Sequence, residues 1–168
     1  MDISATLVGK SDQLDNIDLL SGPRDFTITD VSAGNAEQPI NITLAEFPRP
    51  WRPGLTMRRV LAAVWGPDAS VYVGRRVRLY RDPGVTFGKD ATGGTRLSHA
   101  SHIEKRVEIT LPTSRGKFGL FKVAPLPDAP PVDVGAITDQ NELRDLWNTR
   151  PDLRDAITAR VNELKEQP

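Results

Sequence analysis

The sequence predicts a mainly β protein: a closed or nearly closed barrel with one internal helix, then a proline-rich linker and an α-helical hairpin. Three observations predict it. About seven short stretches alternate apolar with polar residues between turn signals, the pattern of strands with one buried face. A single stretch among them, Met57 to Val64, repeats its apolar residues at i, i+3, i+4 and i+7. Four prolines between Pro125 and Pro131 then separate these strands from two further helix-like stretches.

The elements follow in order. Residues 1–24 carry Asp2, Asp12, Asp15 and Asp18 among scattered Leu and Ile and end at Ser21-Gly22-Pro23, which predicts a loose or short helical lead-in. Phe26 to Val31 and Ile40 to Leu44 alternate around a Gly34-Asn35 turn and predict a β-hairpin. Prolines 48, 50 and 53 around Trp51 exclude a regular element there. Thr56 is placed to cap the helix, and Gly66-Pro67 to end it.

From Val71 to Arg81, Val71, Val73, Val77 and Leu79 alternate with Tyr72, Arg76, Arg78 and Tyr80, predicting a strand with one packed and one basic, aromatic face. A short strand is expected at Val85 to Phe87 before the turn-rich Gly88 to Gly94, with others at Thr95 to Ile103, Arg106 to Leu111 and Phe118 to Val123. The barrel thus spans residues 25–124 and the linker 125–137. In residues 138–168, Asp139 and Glu142 form a capping box for one helix, and Thr149 and Pro151 open a second whose stripe is Leu153, Ile157, Val161 and Leu164. A hairpin this small is not stable unaided, so it should pack on the barrel, a sister copy or another protein.

Composition narrows the function. The chain has 168 residues, 38% hydrophobic and 26% charged, which suits one folded main domain plus an appendage. The absence of cysteine excludes disulfides and thiolate metal sites. No apolar run is long enough to cross a bilayer and no secretory pattern opens the chain, so a cytoplasmic protein with no membrane partner is expected. The 22 basic and 22 acidic residues cancel, but unevenly. Residues 1–48 hold 2 basic and 8 acidic residues, 49–122 hold 15 and 5, and 123–168 hold 5 and 9, giving −6, +10 and −4. A basic centre of this size points to a polyanion, because cations that neutralise phosphates release condensed counterions.

Catalysis finds no footing. His99 and His102 lie three apart on an expected strand, so they point to opposite faces and cannot share a metal ion. The acids of the basic segment are Asp68, Asp82, Asp90, Glu104 and Glu108, too scattered for two-metal chemistry. No phosphate-binding glycine loop opens a helix, so no cofactor is expected and the protein is read as a non-enzyme.

What remains suits single-stranded nucleic acid, which needs cations along the phosphates and flat side chains under the bases. Arg76, Arg78 and Tyr80 supply both on one strand face. Arg96 and His102 share a face of a later strand, and Lys117, Phe118 and Lys122 extend the groove. Phe87 and Lys89 could fold over a bound strand. Each has a plain alternative: Tyr80 or Phe118 as barrel core, and the arginines as guards against aggregation of an edge strand.

The run Trp51-Arg-Pro…Met57-Arg-Arg-Val-Leu-Ala-Ala-Val-Trp-Gly66, then Tyr72-Val-Gly-Arg-Arg-Val-Arg-Leu-Tyr80, Asp82-Pro83, Val85-Thr-Phe-Gly-Lys89 and Gly93-Gly-Thr-Arg-Leu-Ser-His99, resembles a family of small proteins of actinobacterial bacteriophages. That family is associated with OB-fold single-stranded DNA-binding proteins of phage replication, and the resemblance covers about residues 20–126. It implies an OB-fold-like barrel that coats single-stranded DNA in replication or recombination, as a homo-oligomer and with phage or host replication proteins as partners, in the host cytoplasm. Trp51 and Arg59, which lie in the matching run, join the candidate binding residues. RNA is left open as the polymer. One departure is the C-terminus, which ends in a helical hairpin and Lys165-Glu-Gln-Pro168 in place of an acidic tail with a hydrophobic tip. The alternative is a protein-interaction or virion-associated module, in which the basic face meets an acidic protein and the hairpin drives assembly.

Overall fold

The computed structural model describes residues 11–86, 89–128 and 131–166. Six strands form one sheet: β1 (Arg24–Ala33), β2 (Ile40–Leu44), β3 (Arg76–Asp82), β4 (Gly94–Ala100), β5 (Val107–Ser114) and β6 (Lys117–Pro125), in the order β2-β1-β3-β4-β6-β5. Neighbours are antiparallel except β4 and β6, which run parallel and pair only at His99 with Ala124 and Ala100 with Pro125. β2 and β5 are both edges, so the sheet is open and mixed, and the expected closure does not occur. The mainly β architecture stands, with three α-helices among the described residues: α1 (Leu55–Trp65), α2 (Gln140–Thr149) and α3 (Arg154–Glu166).

The inner face of the sheet is set by alternation. Phe26 and Ile28 of β1, Ile42 and Leu44 of β2, Val77 and Leu79 of β3, Leu97 of β4 and Val123 of β6 are buried in one core. Against it α1 lays Met57, Val60, Leu61 and Trp65, packing on β4 and β5. Burial of each such side chain contributes about 1.5–3 kcal/mol. The indole N–H of Trp65 donates to the Ser101 carbonyl at 2.8 Å, tying the end of α1 to the exit of β4.

The helix starts one turn signal earlier than expected. Gly54, not Thr56, is the N-cap, and no side chain caps it. The stop is the expected one: Gly66 at φ 90° and ψ 170° takes a backbone region that side-chain-bearing residues avoid.

β3 is shorter than the alternation suggests. Ala69–Tyr72 forms a 3-10 turn, Val71 and Val73 are exposed, and Tyr72 is buried with its ring 5.3 Å from that of Trp65 and its hydroxyl donating to the Gly66 carbonyl at 2.6 Å. Gly74, at φ 84°, redirects the chain into the strand. Residues 85 and 86 are not in a strand, and Phe87 lies outside the described residues.

Over its described part the lead-in takes the short helical form, a 3-10 turn over Asn16–Leu19. Leu14 and Leu19 are core residues, the Leu14 N–H donates to Pro50 O at 2.9 Å, and Arg49 pairs with Asp18 at 2.7 Å. Leu14 and Leu19 therefore anchor this segment in the same hydrophobic core as the strands. The end of the expected linker is packed: Val134, at a 3-10 turn over Val134–Ala136, and Ile137 join Leu143 and Ile157 of the helical hairpin in a separate small core. Asp139 caps α2 by accepting from the Asn141 N–H at 2.8 Å. Thr149 does not cap α3: its hydroxyl donates back to Asp145 O, and a 3-10 turn over Pro151–Leu153 leads into the helix. No described helix is long and apolar enough to cross a membrane.

Candidate nucleic-acid interface

The residues that alternate with the core form the outer face of the sheet. Register places Asp25 of β1 beside Arg78 of β3, Arg78 beside His99 of β4, and His99 beside Ala124 of β6, one row across four strands. A bulge after Arg78 turns both Ser98 and His99 outward, because Leu97 and Ala100 are both buried. Tyr80, half-buried, lines a shallow hollow with Pro23, Asp25, Arg78, Ser98 and His99. Arg76, Arg78 and Tyr80 thus share the face the alternation assigned to them.

The arginines on this face are not free. Arg78 makes two hydrogen bonds to Asp25, at 2.6 and 3.1 Å. Arg76 lies 3.7 Å from the same carboxylate and donates to Pro127 O at 2.9 Å. The hydrogen bond from Arg78 holds the Asp25 carboxyl below the usual aspartate range. Beside them, Glu46 accepts from both the N–H and the hydroxyl of Thr27, each at 2.7 Å, and burial pushes its carboxyl above the ordinary value. Burial, then the charge of Arg78, hold the His99 imidazole below its usual value, which favours the neutral ring. Two arginines therefore face two carboxylates on β1 and the segment after β2.

Arg96 departs further. Its guanidinium lies 5.2 Å from the Phe121 ring and its Nε is 3.5 Å from Asp82, without hydrogen-bond geometry. Four-fifths of the side chain is buried, so Arg96 packs into the gap where β4 and β6 diverge. His102 does not share a strand face with it, because β4 ends at Ala100 and His102 sits beyond it at φ 58° with Nδ1 2.7 Å from Ser101 Oγ.

Trp51 is a correction: it is 2% exposed and exchanges two backbone hydrogen bonds with Ile42, so its ring is core and offers no face to a base. Arg59 is exposed on α1, across the sheet from Tyr80. Lys89 is exposed in the connection between β3 and β4.

The least encumbered part is the β5–β6 hairpin. On β6, Phe121 and Val123 turn inward while Phe118, Leu120 and Lys122 turn outward, and Phe118 is 71% exposed. Lys117 and Arg115 are exposed at the turn, where Gly116 takes φ 72°, and neither has an ion pair or hydrogen bond from its charged group among the described residues. Lys122 approaches Glu108 only to 4.0 Å. Arg115 was not singled out by the sequence, though the Arg-Gly-Lys cluster marks a cationic turn. Asp25 and Glu46 were also missed, because their pairing depends on partners far along the chain. Among the described residues no three His, Asp or Glu side chains converge as a metal site.

Comparison of the chain with protein-family models, curated proteins and solved structures finds no match.

Proposed function

We propose that this protein binds single-stranded nucleic acid, most readily DNA, on the outer face of its sheet, and acts by binding without catalysis. The observation that carries the reading is Phe118: a phenylalanine 71% exposed on a regular strand, preceded by Arg115 and Lys117, whose charged groups are unpaired among the described residues, and followed on the same face by Lys122. An exposed aromatic ring that contributes nothing to the core provides a stacking platform worth about 1–3 kcal/mol per base, and the cations follow the phosphates. The path continues through Ala124 to His99 and Tyr80, so one strand of nucleic acid could cross β6, β4 and β3.

The barrel class is part of the proposal. Strands β1, β3 and β4 form an antiparallel meander, and the β5–β6 hairpin returns so that β6 lies parallel to β4. This order supports a five-stranded, partly open OB-fold-like barrel, with β2 as an added edge strand. Together with the resemblance to phage proteins, it supports a role in coating single-stranded DNA during phage replication or recombination.

The paired state of Arg76 and Arg78 favours a second reading, a protein-interaction module, since those side chains would have to exchange a carboxylate for a phosphate. A salt titration of binding to a labelled single-stranded oligomer, beside its duplex form, separates the two. Preferential single-strand binding that weakens as salt rises supports the proposal. No binding to either form at ~50 mM salt refutes it, because an arginine- and lysine-mediated contact is strongest there.

A further inference from the structure

The C-terminal hairpin carries a surface that the nucleic-acid reading leaves unused. Between α2 and α3 runs a groove over the buried Leu143 and Ile157, lined by the partly buried Val161 and edged by Trp147, which is 42% exposed. Arg154 holds that edge in place: its guanidinium lies 4.3 Å from the Trp147 ring and its Nε donates to Trp147 O at 3.0 Å. The indole is therefore oriented while still open to a partner.

Charge is sorted around this groove. At 100° per residue, Arg144 shares the Leu143–Trp147 side of α2, while Glu142 and Asp145 lie about 100° from the nearest of these three. On α3, Arg154, Ile157 and Lys165 share one side, and Asp155, Glu163 and Glu166 stand about 80° or more from it. Arg144 and Lys165 both line the groove, and no ion pair is formed by either among the described residues. A segment whose residues 123–168 sum to −4 thus turns a cationic, apolar rim outward.

We infer that the α2–α3 groove is a docking site for a short acidic peptide segment of a partner protein, one that buries bulky apolar side chains against Trp147 and the partly buried Val161 while its carboxylates meet Arg144 and Lys165. An amphipathic segment laid into an apolar groove takes its affinity from the buried side chains. The cationic rim selects the sign of the flanking charges. A neutral apolar peptide satisfies only the floor, and a basic one meets repulsion at the rim.

The test uses the full chain and a labelled peptide of about 12 residues, with Leu and Phe at i and i+4 and Asp and Glu at the remaining positions. Its partners in the experiment are the same peptide with every acid replaced by Gln and a third with every acid replaced by Lys. Saturable binding of the acidic peptide at ~50 mM salt, at least ~10-fold tighter than either control, is expected. Arg144→Glu with Lys165→Glu should weaken it at least ~10-fold, and Trp147→Ala should weaken it with the charges intact. The milder Arg144→Ala and Lys165→Ala pair should lower affinity in the same direction, and circular dichroism verifies that each variant keeps its helices. Absence of saturable binding, equal binding of the Gln peptide, or indifference to the rim substitutions overturns the inference. So does displacement by a single-stranded oligomer that survives on a chain lacking Phe118 and Lys117 side chains, which would make the groove a nucleic-acid surface. Concentration-dependent self-association abolished by Trp147→Ala would instead assign the groove to a second copy and also overturn it.

Discussion

Replacing Asp25 by Asn isolates the element that holds the arginines of the outer face. The carboxylate accepts two hydrogen bonds from Arg78 and lies 3.7 Å from Arg76, so its loss frees Arg78 of its anionic partner and leaves Arg76 only the weaker field of Glu46 and Asp152. The side chains of Asp25 and Arg78 are 32% and 36% exposed, which places the pair among those worth about 0–1 kcal/mol, and the fold should survive the change. Nucleic-acid affinity should move the other way. One additional phosphate contact on a single strand steepens the dependence of log K on log salt by about 0.7, or roughly fivefold more loss of affinity over a tenfold rise in salt. Fluorescence anisotropy of a labelled oligomer across salt concentrations measures the slope directly. A slope for Asp25→Asn equal to or shallower than that of the parent refutes the idea that these arginines can be turned to phosphate. The acid response supplies a check with a fixed sign. The Asp25 pKa is depressed by Arg78, so the stability this pair contributes is present above the ordinary aspartate range and is lost as pH falls through the lowered value. Asp25→Asn should lack that component of the acid loss.

Four further substitutions read other parts of the fold and the site. Phe118→Ala should weaken single-strand binding by about 1–3 kcal/mol while leaving the urea midpoint unchanged, since the ring is mostly exposed. Trp65→Phe removes the N–H that serves Ser101 O in a buried setting and should cost about 1–3 kcal/mol in denaturant unfolding. Gly66→Ala should cost about 1–3 kcal/mol from backbone strain alone, whereas Gly54→Ala, at φ −66°, should be close to neutral; neither added methyl meets an atom within 4 Å, so equal losses would contradict the backbone explanation.

Strands with one clean buried face were legible. Ile40 to Leu44 alternates without interruption and forms β2 at those bounds, and Asp139 marks the start of α2 through a local hydrogen bond. The errors arise where tertiary contacts override the pattern. Val71 and Val73 alternate with Val77 and Leu79 as a strand would, yet Tyr72 is the buried member, drawn inward by Trp65 and the Gly66 carbonyl. Trp51 stands among prolines, where its exposure is undetermined locally; its pairing with Ile42 decides it. Leu14 and Leu19 lack periodicity because they fill positions in an existing core and present no repeating face. For the site, the face of Arg76, Arg78 and Tyr80 followed from period two, but the neutralising Asp25 lies 53 residues from Arg78 and no local signal reports it. Closure failed for a similar reason: strand content was readable, whereas closing the sheet needs edge strands far apart in sequence, β2 and β5, to meet, and no local signal reports that.

The central claim is that a single strand of nucleic acid lies on the outer face of the sheet across β6, β4 and β3. Backbone amide chemical-shift mapping during titration with an unlabelled single-stranded oligomer tests it residue by residue. The account predicts the largest shifts at Arg115 to Lys122 and at Tyr80, Ser98 and His99, with Trp51 and the rest of the core unmoved. Shifts confined to α2 and α3, or no shifts at ~50 mM salt, would contradict it.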